Sequence, residues 1–291
     1  MNRAMRLALA AIAVAAPVPA SARQTILFVG NSFTYGANSA AWKYRADRVT
    51  DLNADGVGGV PALFRTFAEQ AGLDYDVHLE TAGGRTLSWH LAERRGVIDR
   101  RGDHVVLQEY STLDPFRPGD AGAFVAATGA LARLFAARNP NVAIRLTATW
   151  SRPDLTYRPG SRWSGKPVAA MASEVRVAYD RAAGTHPAIR GVAPVGQAFT
   201  CAIRSGVADA DPHDGLAAGK VDLWAYDRYH GSIHGYYLEA LVLFGQITGR
   251  DPQSLGEREV AAAELGIAPD HAAALQRVAA NAIATDGGCG R

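Results

Sequence analysis

A serine hydroxyl attacks an ester when an imidazole takes its proton and a carboxylate orients that imidazole. Two short stretches offer these groups. Ser32 lies in Ile26-Leu-Phe-Val-Gly-Asn-Ser-Phe-Thr-Tyr-Gly36, and Asp227 and His230 lie in Asp227-Arg228-Tyr229-His230. Acyl transfer also needs N–H donors aimed at the oxyanion that develops on the carbonyl. The backbone N–H of Ser32, that of Gly84 in Ala82-Gly83-Gly84-Arg85, and the side-chain amide of Gln108 are the expected donors, with Gly83 an alternative to Gly84. Asn31, Trp150 and Arg152 are expected to contact the substrate. This chemistry calls for no cofactor and no metal.

The elements around these residues explain how they would meet. Apolar runs at Thr25–Val29, Tyr75–Glu80, His104–Gln108, Val142–Thr149 and Gly191–Val195 read as strands. Between and after them, helical spacing or helix stop signals mark Pro61–Ala71, Ala121–Arg138, Val168–Ala183, Tyr236–Thr248 and Pro269–Ala284. Five strands alternating with helices predict an α/β fold, a three-layer α/β/α sandwich on a parallel sheet. The expected strand order is flavodoxin-like, 2-1-3-4-5. Ser32, Gly84, Gln108 and Trp150 then follow successive strands, and in such a sheet the carboxyl ends of the strands line one crevice. Long loops at Ala37–Gly59, Trp150–Lys166 and Gln197–Tyr229 would form its rim.

Bulk features bound the rest. Arg3 and Arg6, an apolar run from Leu7 to Ala16, Pro17 and Pro19, and Ala20-Ser21-Ala22 predict a secretory signal peptide over residues 1–22. An N-terminal anchor is the alternative reading. Residues 23–291 are expected to form one catalytic domain, exported to the periplasm or the extracellular space, with no membrane span. They carry 28 basic and 28 acidic residues, and no basic run suggests nucleic acid. Oligomeric state is not legible. Cys201 and Cys289 are the only cysteines and form either one disulfide or two thiols. Asp51-x-Asn53-x-Asp55-Gly56 opens like a calcium loop, but its twelfth position is Ala62, not glutamate. Asp211-Pro212-His213-Asp214 reads as a polar loop as readily as a metal site. His234 is a competitor to His230, disfavoured by its spacing from Asp227.

Gly30-Asn31-Ser32-Phe33-Thr34 resembles the nucleophile block of the GDSL or SGNH hydrolases, and Asp227-x-x-His230 resembles their terminal block. The resemblance spans nearly the whole chain after residue 22. It implies a secreted esterase with Ser32 as nucleophile, His230 as base, Asp227 as its partner and Gly84 as an oxyanion donor. Two departures stand out. Asn31 replaces the aspartate usual before the serine, and Gln108-Glu109-Tyr110-Ser111 stands where the family has Gly-x-Asn-Asp. Gln108 is the best substitute amide, with Ser111 and Thr112 as alternatives. The expected activity is hydrolysis of a short-chain ester, acetyl first, on a carbohydrate or similar polar small molecule. A non-catalytic glycan-binding protein, an acyltransferase and a lipid esterase are the competing readings.

Overall fold

A computed structural model describes residues 22–290. The expected leader therefore falls, but for Ala22, outside the described residues. Six strands form one parallel sheet in the order β2-β3-β1-β4-β5-β6. They are β1 (Gln24–Gly30), β2 (Thr50–Asp51), β3 (Tyr75–Thr81), β4 (His104–Leu107), β5 (Ala143–Thr147) and β6 (Ile189–Ala193). The expected five strands are all present in the expected relative order. The sixth, β2, corrects the count. It is a two-residue edge strand pairing Thr50 with His78 and Asp51 with Leu79, too short and too polar to make an apolar run.

The helices are α1 (Gly59–Gln70), α2 (Leu87–Glu93), α3 (Arg95–Ile98), α4 (Gly122–Arg138), α5 (Pro153–Thr156), α6 (Ala169–Ala183), α7 (Val195–Arg204), α8 (Ile233–Thr248), α9 (Val260–Glu264) and α10 (Pro269–Ala284). Alternation along β1 shows why the sheet is covered on both faces. Ile26 and Phe28 join a core with α1, α7, α8 and α10, whereas Leu27 and Val29 join a second core with α2, α4 and α6. Among the described residues no helix is long and apolar enough to cross a membrane.

Helix α7 begins at Val195, the last residue expected in the fifth strand, and runs into the stretch from Gln197 expected to be a polar loop. Val195, Ala198, Phe199, Cys201 and Ala202 form its buried stripe. Cys201 is bonded to Cys289, so a disulfide fastens the C-terminal tail to this helix. The Asp51 turn is closed by its own backbone: the Asp51 carboxylate accepts from the N–H groups of Asn53, Asp55 and Val57. That is an Asx-type turn, which needs no cation. Among the described residues no cluster of three or more His, Cys, Asp or Glu is arranged to hold a metal.

Candidate active site

Strand β1 ends at Gly30, and the next residues turn sharply. Thr34 and Tyr35 N–H both donate to Asn31 O, and Ala37 N–H donates to Ser32 O. Ser32 sits at the start of this turn and is 6% exposed. A Cβ on residue 30 would lie 2.2 Å from Thr34 Oγ1 and 2.8 Å from Gln108 Oε1, so only glycine fits there.

Gln108 is what closes the turn. Its Oε1 accepts from Asn31 N–H at 3.0 Å and from the Thr34 hydroxyl at 2.9 Å, while its Nε2 donates to Glu109 O. The backbone N–H of Asn31 can only donate, which fixes oxygen as the atom facing it. The amide expected to reach the oxyanion is thus fixed by the protein: its oxygen holds the serine turn, and one of its two N–H groups is taken by Glu109 O. Ser111 and Thr112, the alternatives, are also engaged: Ser111 Oγ accepts from Arg152, and Thr112 Oγ1 donates to Asp114 O. Asn31 is likewise internal. It is 3% exposed, its Nδ2 donates to Arg85 O and Glu109 O, and its Oδ1 accepts from Phe33 N–H. It ties together the ends of β1, β3 and β4.

Asn31 also draws in the Gly83-Gly84 turn, because Ala82 N–H donates to Gly30 O beside the Asn31–Arg85 contact. Gly84 has φ +69°, a left-handed conformation natural to glycine. Among the described residues the N–H groups of Ser32, Gly83 and Gly84 have no hydrogen-bond partner.

Asp227 and His230 come from one tight turn leading into α8. Trp224 and Gly231 form an antiparallel bridge, Ala225 N–H donates to His230 O, and Arg228 takes φ +57° at the tip. Ser232 anchors the end of the turn by capping α8, accepting from the N–H of His234 and Gly235. Asp227 Oδ1 accepts from the backbone N–H of Tyr229 and His230, and its Oδ2 lies 2.6 Å from His230 Nδ1. Burial alone would raise the Asp227 pKa. The hydrogen bonds from His230 and from the two backbone N–H groups outweigh it and hold the carboxyl below its usual range.

One residue was not legible beforehand. Asn38, at φ +60° in the serine loop, donates from Nδ2 to Asp227 Oδ2 at 2.7 Å. The same Nδ2 is 3.3 Å from His230 Nδ1. Both nitrogens carry hydrogens if they serve Asp227, so they converge on its oxygen rather than bond each other. The imidazole is then the Nδ1–H tautomer, and its Nε2 keeps a lone pair. Nε2 is buried and without a hydrogen-bond partner among the described residues, and none joins it to Ser32 Oγ. The two loops nonetheless pack closely: the Phe33 and His230 rings are 5.6 Å apart, and the Tyr236 hydroxyl donates to both Ser32 O and Ala37 O.

Trp150 and Arg152 support this arrangement from beneath. Trp150 is fully buried, stacked between Phe33 at 4.3 Å and Phe199 at 4.7 Å, both nearly parallel to it. Its expected substrate contact is corrected to a packing role, because no face of the indole is free. Arg152 lies 3.4 Å from the Tyr229 ring centroid, and Tyr229 stacks on His230 at 4.1 Å. Asp154 and Ser111 take up the guanidinium, so Arg152 supports the His230 ring through Tyr229. Glu109 is buried beneath the site. Burial pushes its carboxyl up to about 8, against the lowering pull of the Tyr110 and Leu87 N–H groups.

No family model and no curated protein matches the sequence. Solved structures do. A DUF4886 family protein from Bacteroides uniformis superposes with a TM-score of 0.65 at 19% identity, over 92% of this chain and 97% of the other. A putative GDSL-like lipase from Parabacteroides merdae gives 0.53 at 19% identity, over 78% and 95%. An acetylxylan esterase from Geobacillus stearothermophilus gives 0.50 at 16% identity, over 77% and 94%. With its parallel sheet, its two helical layers and these neighbours, the chain has the fold of the SGNH/GDSL hydrolases.

Proposed function

We propose that this protein is an exported serine esterase that removes a short acyl group, acetyl being the simplest, from a polar alcohol. The observation that carries the reading is the buried, unpartnered Nε2 of His230, whose ring is fixed by Asp227 and Asn38 beside the serine loop. In the first step Ser32 Oγ bonds to the ester carbon as Nε2 takes the hydroxyl proton. The carbonyl electrons move onto oxygen, where the free N–H groups of Ser32 and Gly84 receive them. Collapse breaks the bond to the alcohol oxygen, which leaves with the proton from Nε2. Water then attacks the acyl-enzyme, gives a proton to Nε2, and releases the carboxylic acid and Ser32. Gln108 is assigned to holding the serine turn through its Oε1 rather than to the oxyanion.

The test is hydrolysis of p-nitrophenyl acetate by the wild type and by Ser32→Ala. Loss of a nucleophile of this kind lowers turnover by several orders of magnitude. Equal rates for the two proteins would refute the proposal.

A further inference from the structure

A cavity of 740 Å³ opens beside the Gly83-Gly84 turn. It shares Tyr35 with the serine loop and Gly83 with the loop that offers the oxyanion donor. The two loops meet tightly there, since a Cβ on residue 83 would be 2.9 Å from the Tyr35 hydroxyl. Trp42 and Trp89 line the same cavity, with Trp42 tilted against Tyr35 at 5.6 Å. Trp150 and Trp163, on the second long loop, are core residues, whereas Trp42, on the first, is exposed beside the half-buried Tyr35 and Trp89.

The polar groups of the cavity separate into two kinds. Arg94 is neutralised: its Nε donates to the buried Glu80 at 3.0 Å, and Nη2 donates to Asn53. The carboxylates of Asp55 and Glu93 are exposed, and among the described residues neither has a hydrogen-bond or ion partner. Two cations flank the aromatic rings without lining the cavity. Lys43 lies 5.2 Å from the Trp42 ring with its ammonium on the carbonyls of Asp55 and Gly56, and Arg85 lies 5.2 Å from the Trp89 ring. Free carboxylates are pure acceptors and take up the hydroxyl hydrogens of a polyol, while aromatic rings cover its C–H faces. A carboxylated sugar in the same place would meet both as like charges.

We infer that this cavity is the subsite for the alcohol half of the substrate, and that it takes a neutral pyranose, not a uronate. The inference rests on the esterase reading for its place in the reaction, but the binding it predicts does not need turnover. Ser32, Gly84 and His230 do not line the cavity; Gly83, next to the Gly84 N–H, and Tyr35, on the serine loop, are what join it to them.

The experiment uses the full-length Ser32→Ala protein, titrated with methyl glucopyranoside and with glucuronate, with tryptophan fluorescence as the readout. Saturable binding of the neutral pyranoside in the millimolar range is expected, with glucuronate at least about tenfold weaker. Adding Glu93→Gln, or separately Trp42→Ala, should weaken the pyranoside by about tenfold while circular dichroism shows an intact fold. Absence of saturable pyranoside binding, glucuronate binding as tightly, or both second-site variants without effect would each overturn the subsite. If wild type hydrolyses p-nitrophenyl acetate but no sugar binds, the subsite fails and the esterase stands. If the sugar binds and no ester is cleaved, the reverse holds.

Discussion

Asn38→Gly tests the link between the serine loop and the Asp227–His230 turn. The backbone there has φ +60°, so glycine removes the side chain without the strain that alanine would add. What disappears is the 2.7 Å bond to Asp227 Oδ2, leaving that oxygen to His230 Nδ1 alone. A hydrogen bond to a charged group contributes roughly 1.5–3 kcal/mol, and the exposure of Asn38 argues for the lower end. At about 1.4 kcal/mol per tenfold, kcat should fall by roughly tenfold. KM for a small ester should hold, because Asn38 faces the acid rather than the carbonyl. The assay is kcat and KM for p-nitrophenyl acetate, with circular dichroism and thermal melting to show that the variant keeps its fold. A glycine variant with an intact fold and kcat within about twofold of wild type would refute the reasoning.

Other outcomes follow from the same geometry. Gln108→Leu strands the buried Asn31 N–H and Thr34 hydroxyl, so it should lower stability by about 2–4 kcal/mol in urea unfolding along with activity; a loss of kcat with stability intact would return Gln108 to the oxyanion. Reduction, or Cys289→Ser, opens a cross-link between residues 88 apart and should lower stability by roughly 3 kcal/mol, while ester hydrolysis at low temperature survives; an unchanged melting temperature would contradict this. Burial and the nearby His271 depress His234 from 6.5 to about 4. The unfolded chain then binds a proton between those values that the folded protein refuses, so stability is lost as pH falls through that window. His234→Gln should flatten this acid loss, by up to about 3 kcal/mol between pH 7 and pH 4; parallel wild-type and variant curves would argue against it.

The parts legible in the sequence share one property: each is local. The β1 run that ends at Ser32 and the Asp227-x-x-His230 spacing declare themselves within a few residues. Helix α7 is hidden because it starts at Val195, the last residue of the apolar run read as a strand, and runs directly into a polar loop. Gln108 shows a different limit. Its place at the end of β4 puts an amide near the crevice, but only the turn of a neighbouring strand decides which way that amide faces. Asn38 carried no signal at all, since its partner is 189 residues away.

That separation has a consequence for how the site tolerates change. Asp227 and His230 ride on a single turn whose backbone sets their mutual geometry, so they travel as one piece. The Ser32 turn travels as another. Change in the intervening chain therefore reaches the gap between these two pieces through the few residues that pack on either of them: Gln108 under the serine turn, Trp150 against Phe33, and Arg152 behind Tyr229 and His230.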